Sequence, residues 1–268
     1  MIDHGKRNVL GIMVDAVDYE AAAEKILAAA RRRRSFAASA LAVHGVMTGV
    51  QDPEQGYRLN HLDLVTADGQ PVRWALNILH RTALVDRVYG PALMTKLCEA
   101  AERERLQIYL YGSEAGVLDR LRASLTARFP SLVIAGAEPS KFQRTTGEEK
   151  EATARRIRES GARLAFIGLG CPRQEVFAYE YRDLLDMPLV AVGAAFEYHA
   201  GIKREPHPAF QRLGLQWLHR LLQEPGRLWK RYTITSARYV WLILLQATRM
   251  RRTEPTDFQR PTHELLYG

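Results

Sequence analysis

Asp68 lies at the end of an apolar run in LVTADGQPVRW, followed by a glycine that can turn sharply and a proline suited to a first helical turn. A carboxylate there can take a proton from an attacking hydroxyl group. It can equally cap a helix beginning near Pro71, a common use of aspartate. LYGSEAGV carries Gly112 and Ser113, where backbone N–H groups at a helix start could approach a phosphate; Ser113 serves as readily as a plain N-cap. FIGLGCPRQEVF concentrates Gly170, Arg173, Gln174 and Glu175 in one turn, offering a guanidinium and an amide to an anionic, hydroxyl-rich ligand. VGAAFEYHAGIKREP supplies Phe196 to stack on a base, Glu197 for ribose hydroxyls, and Lys203 and Arg204 for a diphosphate. Taken singly these are a core ring, a solvated acid and surface cations, so it is their clustering that suggests a nucleotide.

Several chemistries lack their residues. The chain has no Walker A loop, GxGxxG fingerprint, HExxH or GxSxG elbow, and no DxD-like metal pair. Cys98 and Cys171 lack the spacing of metal ligands and are too few for a disulfide framework, which suits a reducing cytoplasm. No metal or cofactor is expected. The N-terminal apolar stretch is short and interrupted by Asp15 and Asp18, which does not read as a signal peptide.

In open α/β sheets ligands bind beyond the carboxyl ends of the strands, so these segments need strands before them and helices after them. Short apolar runs predict strands over 9–14, 37–43, 64–67, 108–111, 132–134, 164–167 and 189–192. Stretches of helical period predict helices over 19–33, 71–79, 91–105, 114–129, 148–160 and 173–184. The alternation indicates an α/β fold, a doubly wound, mostly parallel sheet covered on both faces. The Arg31–Arg34 cluster reads as the cationic end of the first helix.

Residues 1–200 would form this catalytic domain, and residues 201–268 a helical C-terminal appendage, because Pro206 and Pro208 break the pattern and an aromatic, basic region follows. From Ile202 onward twelve Lys/Arg face five Asp/Glu, a surplus of seven in a chain whose net charge is +8. An anionic surface therefore suits the tail better than the body. Residues 239–247 are apolar but interrupted by Gln246, and fall well short of the roughly 20 residues that span a bilayer. An interfacial helix and an ordinary amphipathic helix packed on the domain or on another subunit both fit.

TADGQPVRW, DRVYGP, LYGSEAGV, GLGCPRQE, VGAAFEYHAGIKREP and GLQWLHRLLQEPGRLWKRY, in this order, resemble the WecG/TagA/CpsF family of bacterial glycosyltransferases over roughly residues 9–232. The GLGxPxQE turn and the final GxxWLxRLxxEPxRLxKRY block are the most specific parts. The resemblance implies a Rossmann-like domain with an appendage that completes the site and touches the membrane. It also implies inverting, metal-independent transfer from a UDP-sugar to a polyprenyl-diphosphate-linked saccharide at the inner face of the cell membrane. Asp68 then matches the proposed base, and Gln70, Gly90 and Gln174 fall in matching segments. Arg220, Arg227 and Arg231 fall at appendage arginines suited to neutralising diphosphates. Glu197 stands where the family usually has Asp. LAVHGVMTG departs from a Thr-x-Asn motif by carrying Ala42 and His44, and Glu205 in KREP departs from RAP; His44 can replace the amide as a donor or line the crevice wall. The partners expected are the donor, the lipid-linked acceptor, an anionic membrane surface and a possible second copy, with no nucleic acid. A nicotinamide-dependent oxidoreductase and a non-catalytic basic binding protein are the alternatives from other classes.

Overall fold

The computed structural model describes residues 1–203, 221, 222, 226, 229, 231–250 and 252–268. The chain opens with a hairpin, β1 (Asp3–Val9) and β2 (Ile12–Val17), where the sequence predicts one strand over 9–14. Leu10 and Gly11 both take positive φ (57° and 89°), and Asn8 Oδ1 accepts the Gly11 N–H at 2.6 Å. Two consecutive left-handed residues make the tight turn whose twist matches flanking antiparallel strands.

Helix α1 (Tyr19–Arg31) starts at Asp18, whose side chain accepts the Ala21 N–H, and ends in Arg31, which pairs with Glu24 and Glu104. The basic cluster thus does lie at the helix end. β3 (Phe36–Leu41) is followed by two helices absent from the sequence expectations, α2 (Val43–Gln51) and α3 (Pro53–Asn60). Their junction is Asp52, which caps α3 through the Glu54 and Gln55 N–H groups with Pro53 in the first turn. Next come β4 (Leu64–Ala67), α4 (Gln70–His80), α5 (Gly90–Glu104), β5 (Ile108–Gly112), α6 (Ala115–Arg128) and β6 (Ile134–Glu138). α7 (Gly147–Glu159) begins in a capping box made by Thr146 and Glu149. β7 (Leu164–Gly168), α8 (Arg173–Tyr181), β8 (Pro188–Ala191) and the short α9 (Ala195–His199) complete the alternation. After a π-helical turn, Arg231–Thr235, the last helix is α10 (Ser236–Ala247).

The eight strands form one sheet in the order β1-β2-β4-β3-β8-β7-β5-β6, parallel apart from the β1–β2 hairpin. Two apolar layers flank it. Val46, Met47, Leu59, Val72, Leu76, Ile157, Phe177 and Tyr181, from α2, α3, α4, α7 and α8, join one core cluster. Ile26, Leu97, Leu121 and Phe196, from α1, α5, α6 and α9, join the other. This is the doubly wound arrangement expected. β3 and β8 are neighbours, yet the helices that follow them, α2 and α9, go to opposite faces. Such a divergence opens a crevice at the carboxyl edge, the usual ligand position in this class of fold.

Beyond residue 203 the described chain packs on the sheet domain. Tyr239, Leu242 and Ile243 of α10 belong to the first core cluster. Gln246, the polar residue interrupting the apolar run, faces inward: its Oε1 accepts the Leu10 N–H at 2.9 Å and its Nε2 donates to Asn8 O at 3.2 Å. Residues 255–268 cross the outer side of α3 and α8 and end beside the loop after β6.

Candidate active site

Asp68 follows β4 at the carboxyl edge, half-buried, with its own N–H donated to Leu41 O at 3.2 Å. It is not the cap of α4: the cap residue is Gly69, and no side chain satisfies that helix start. The Asp68 carboxylate instead meets the first residue of α5, with the Gly90 N–H 3.4 Å from Oδ1. That contact is long, but it puts the carboxylate at the positive end of a helix. Gly90 is buried, and a Cβ there would come within 2.9 Å of Val192 O. Its absent side chain lets α5 start against β8, so Gly90 serves Asp68 rather than lining a ligand surface.

The DRVYGP segment packs from the outside. Tyr19 Oη accepts the Tyr89 N–H at 2.9 Å, and burial raises this phenol's pKa to about 12, so it stays protonated. The Arg87 guanidinium lies 4.6 Å from the Tyr89 ring centre.

His44 sits half-buried in the first turn of α2, after β3. The next residue, Gly45, faces the turn after β7: a Cβ there would lie 3.6 Å from Cys171 Sγ. Gln70, the first residue of α4, has a buried Oε1 without a hydrogen-bond partner among the described residues.

The turn after β7 contains a cis Cys171–Pro172 bond and Gly170 at φ 75°, exposed and with open space where a Cβ would point. Gln174, 3% exposed, donates from Nε2 to Glu175 Oε1 at 2.8 Å, and Ser39 Oγ donates to the same oxygen at 2.9 Å. Among the described residues the Gln174 Oε1 has no partner, and it lies near Gly193, after β8. Glu175 is fully buried, and burial raises its pKa; hydrogen bonds from Gln174, Ser39 and the Cys171 thiol oppose the shift. Glu175, read from the sequence as one of the polar residues of this turn, lies buried beneath it, and its partner Ser39 was missed. The one signal was a serine inside the otherwise apolar FAASAL strand, which needs a buried partner.

The expectations for Phe196 and Ser113 are corrected. Phe196 is 1% exposed and packs where a Gly168 Cβ would come within 2.5 Å of its ring, so it is core and has no face open to a base. Ser113 does not cap α6, whose cap residue is Glu114. The Ser113 N–H is spent on Gly168 O at 2.9 Å, and its carbonyl accepts the Ser140 N–H at 3.0 Å. Gly112, at φ 111°, permits a close approach, since a Cβ would lie 2.8 Å from the Gly168 backbone. These residues hold β5 to β7 and leave no amide of Ser113 for a phosphate. Glu197 forms an ion pair with Lys203 at 2.6 Å. Arg173, in the first turn of α8, donates from Nη1 to Phe142 O at 3.1 Å.

Arg204, Arg220 and Arg227 lie outside the described residues, and Arg231 opens the π-helical turn. Among the described residues no group of three or more His, Cys, Asp or Glu could hold a metal ion, and no helix is long and apolar enough to cross a membrane.

The strand edge therefore brings together a carboxylate at a helix N-terminus (Asp68), an imidazole (His44), an open glycine turn (Gly170) and a fixed amide (Gln174), contributed by the ends of β4, β3 and β7. A model of the glycosyl transferase WecG/TagA/CpsF family matches residues 7–253, which takes in every one of these groups and favours neither rival class. The chain belongs to that family and is a glycosyltransferase of cell-surface polysaccharide synthesis.

Proposed function

We propose that the protein transfers a sugar from a UDP-sugar to a polyprenyl-diphosphate-linked saccharide, with inversion and without a resident metal. The observation that carries this reading is the setting of Asp68. The carboxylate lies at the crevice edge and against the start of α5, and α4 takes its cap from Gly69. Asp68 accepts the proton of an acceptor hydroxyl as that oxygen bonds to the anomeric carbon. The bond from that carbon to the diphosphate breaks on the opposite side, and UDP leaves. The charge that grows on the leaving diphosphate calls for fixed donors, a role we give to Arg173, Gln174 and the appendage arginines Arg204, Arg220, Arg227 and Arg231. His44 donates to the sugar or its phosphate from the head of α2, and Gln70 offers its carbonyl oxygen to the same ligand. Glu197 binds ribose hydroxyls once Lys203 turns to the diphosphate.

The acceptor's lipid requires access to a membrane, and two neighbouring helices supply an exposed apolar face. Trp74 and Ile78 of α4 and Val240, Trp241 and Leu244 of α10 are all exposed. The Tyr239 hydroxyl ties the two helices by donating to Pro71 O at 3.3 Å. Arg238 and Arg249 are exposed near the ends of α10. Apolar side chains flanked by cations suit the anionic inner face of a membrane.

The deciding experiment is UDP release by the purified protein, with lipid-diphosphate-saccharide acceptor, across UDP-hexoses, UDP-N-acetylhexosamines and UDP-uronic acids. Acceptor-dependent release from one donor, undiminished by EDTA and giving the inverted anomer, supports the reading. No UDP binding and no release across the panel would reject it.

A further inference from the structure

The last residues of the described chain are tied to the sheet domain by charges that are expensive to bury alone. Lys150 is 6% exposed and meets Glu264 Oε1 at 2.5 Å. Glu180 is 8% exposed and accepts the Leu265 and Leu266 N–H groups at 2.7 and 3.0 Å. A buried ionisable group left without such a partner is strongly destabilising, so this segment has a defined seat. It continues by adding an edge to the loop after β6. Leu266 O accepts the Thr145 N–H at 2.7 Å, Arg144 and Tyr267 form an antiparallel bridge, and Ser140 Oγ donates to Gly268 O at 2.6 Å.

This path ends against Arg173, in the first turn of α8 after β7. The guanidinium carbon lies 5.4 Å from the Tyr267 ring centre, and Nη1 donates to Phe142 O in the same loop. Both of these contacts come from pieces joined by the terminal segment. A guanidinium stacked on a ring keeps its plane while its remaining N–H groups stay available to an anion. The segment also lies outside the family match, which stops at residue 253.

We infer that residues 264–268 are a strap that positions Arg173 for the donor's diphosphate, with Tyr267 as the positioning residue. The inference rests on the role given to Arg173 in the proposed transfer. Losing a partly exposed stacking contact costs a few-fold in affinity, and the expected signature is selective for donor binding.

The test compares full-length Tyr267→Ala, Tyr267→Leu, Tyr267→Phe and Arg173→Ala for UDP affinity, donor KM, kcat and Tm. Tyr267→Ala and Tyr267→Leu are expected to weaken UDP binding and lower kcat/KM for the donor, each about 5-fold, with part of the loss in kcat because Arg173 acts on charge that grows in the transition state. Tyr267→Leu keeps apolar bulk and controls for folding, while Tyr267→Phe keeps the ring face and should match the wild type. In an Arg173→Ala background, Tyr267→Ala should add nothing further. If Arg173→Ala weakens UDP binding and both Tyr267 variants leave it unchanged, the strap is overturned and the role of Arg173 stands. If Arg173→Ala has no effect on UDP binding, or the wild type does not bind UDP, the role of Arg173 falls and the strap inference with it.

Discussion

Two glycine-bearing strand ends, after β5 and after β7, look alike in sequence but do different things. Each runs from an apolar strand through a glycine of positive φ into a helix. After β5, Gly112 is pressed against Gly168 and the next amide donates back into the sheet region, so the turn is closed by its own bonds. After β7, Gly170 faces open space and Gln174 keeps a carbonyl oxygen unpartnered among the described residues. A glycine at a strand end can thus serve close packing or ligand approach, and what occupies the space of its missing Cβ tells the two apart.

The proposed function puts its chemistry on the β4–β3–β8–β7 stretch of the edge, whereas the turn after β5 is closed by packing. Its largest test is Asp68→Asn, expected to lower kcat by about 10³-fold while UDP affinity stays within about 2-fold, since an amide cannot accept the proton. Retained turnover would remove Asp68 as the base and empty the active side of the contrast.

Gly112→Ala probes the closed turn. A clash with backbone and a strained φ should cost about 2–3 kcal/mol, read as a Tm fall of roughly 5–10 °C, with activity per folded molecule retained. Gly170→Ala meets no neighbour among the described residues and should cost only about 1 kcal/mol of strain, yet impair donor binding more than Gly112→Ala does. If the two variants behaved alike in both assays, the distinction between the turns would fail.

Gln174→Leu removes the fixed amide at similar bulk and should weaken UDP-sugar binding about 10-fold. An unchanged Kd would make the amide structural.

The smallest effect concerns Glu175. Its native pKa is raised by burial, so the stabilising proton is present below the unfolded carboxyl value and is lost as pH rises through the native value. Glu175→Gln mimics the protonated form. Its Tm should match the wild type in acid and exceed it increasingly toward neutrality; curves that stay parallel across pH would mean that Glu175 does not titrate in the native state.

Much of this was legible in advance. The alternation of apolar runs and helical stretches marked seven of the strand regions because parallel strands buried on both faces must be apolar throughout, as in FAASAL and LAFIG. The β1–β2 hairpin was hidden because β1 reads DHGKRNV, a polar edge strand with no apolar run, while Leu10 and Ile12 carry the apolar run of β2 back across the turn. Helices α2 and α3 were hidden because Gly45, Gly49 and Gly56 depress helix propensity, whereas their absent side chains are what let α2 sit against Leu41, α2 meet α3, and α3 meet Phe258.

At the site, residue type and order alone fixed the strand-end positions of Asp68 and Gln174, because a turn from strand to helix is a local feature. Whether Asp68 capped α4 or faced α5, whether Phe196 lay open or buried, and whether Ser113 kept a free amide were decided by contacts between segments 20 or more residues apart. The same is true of the seat of Tyr267 beneath Arg173. Burial and hydrogen-bond partners belong to the assembled sheet edge, and spacing along the chain does not encode them.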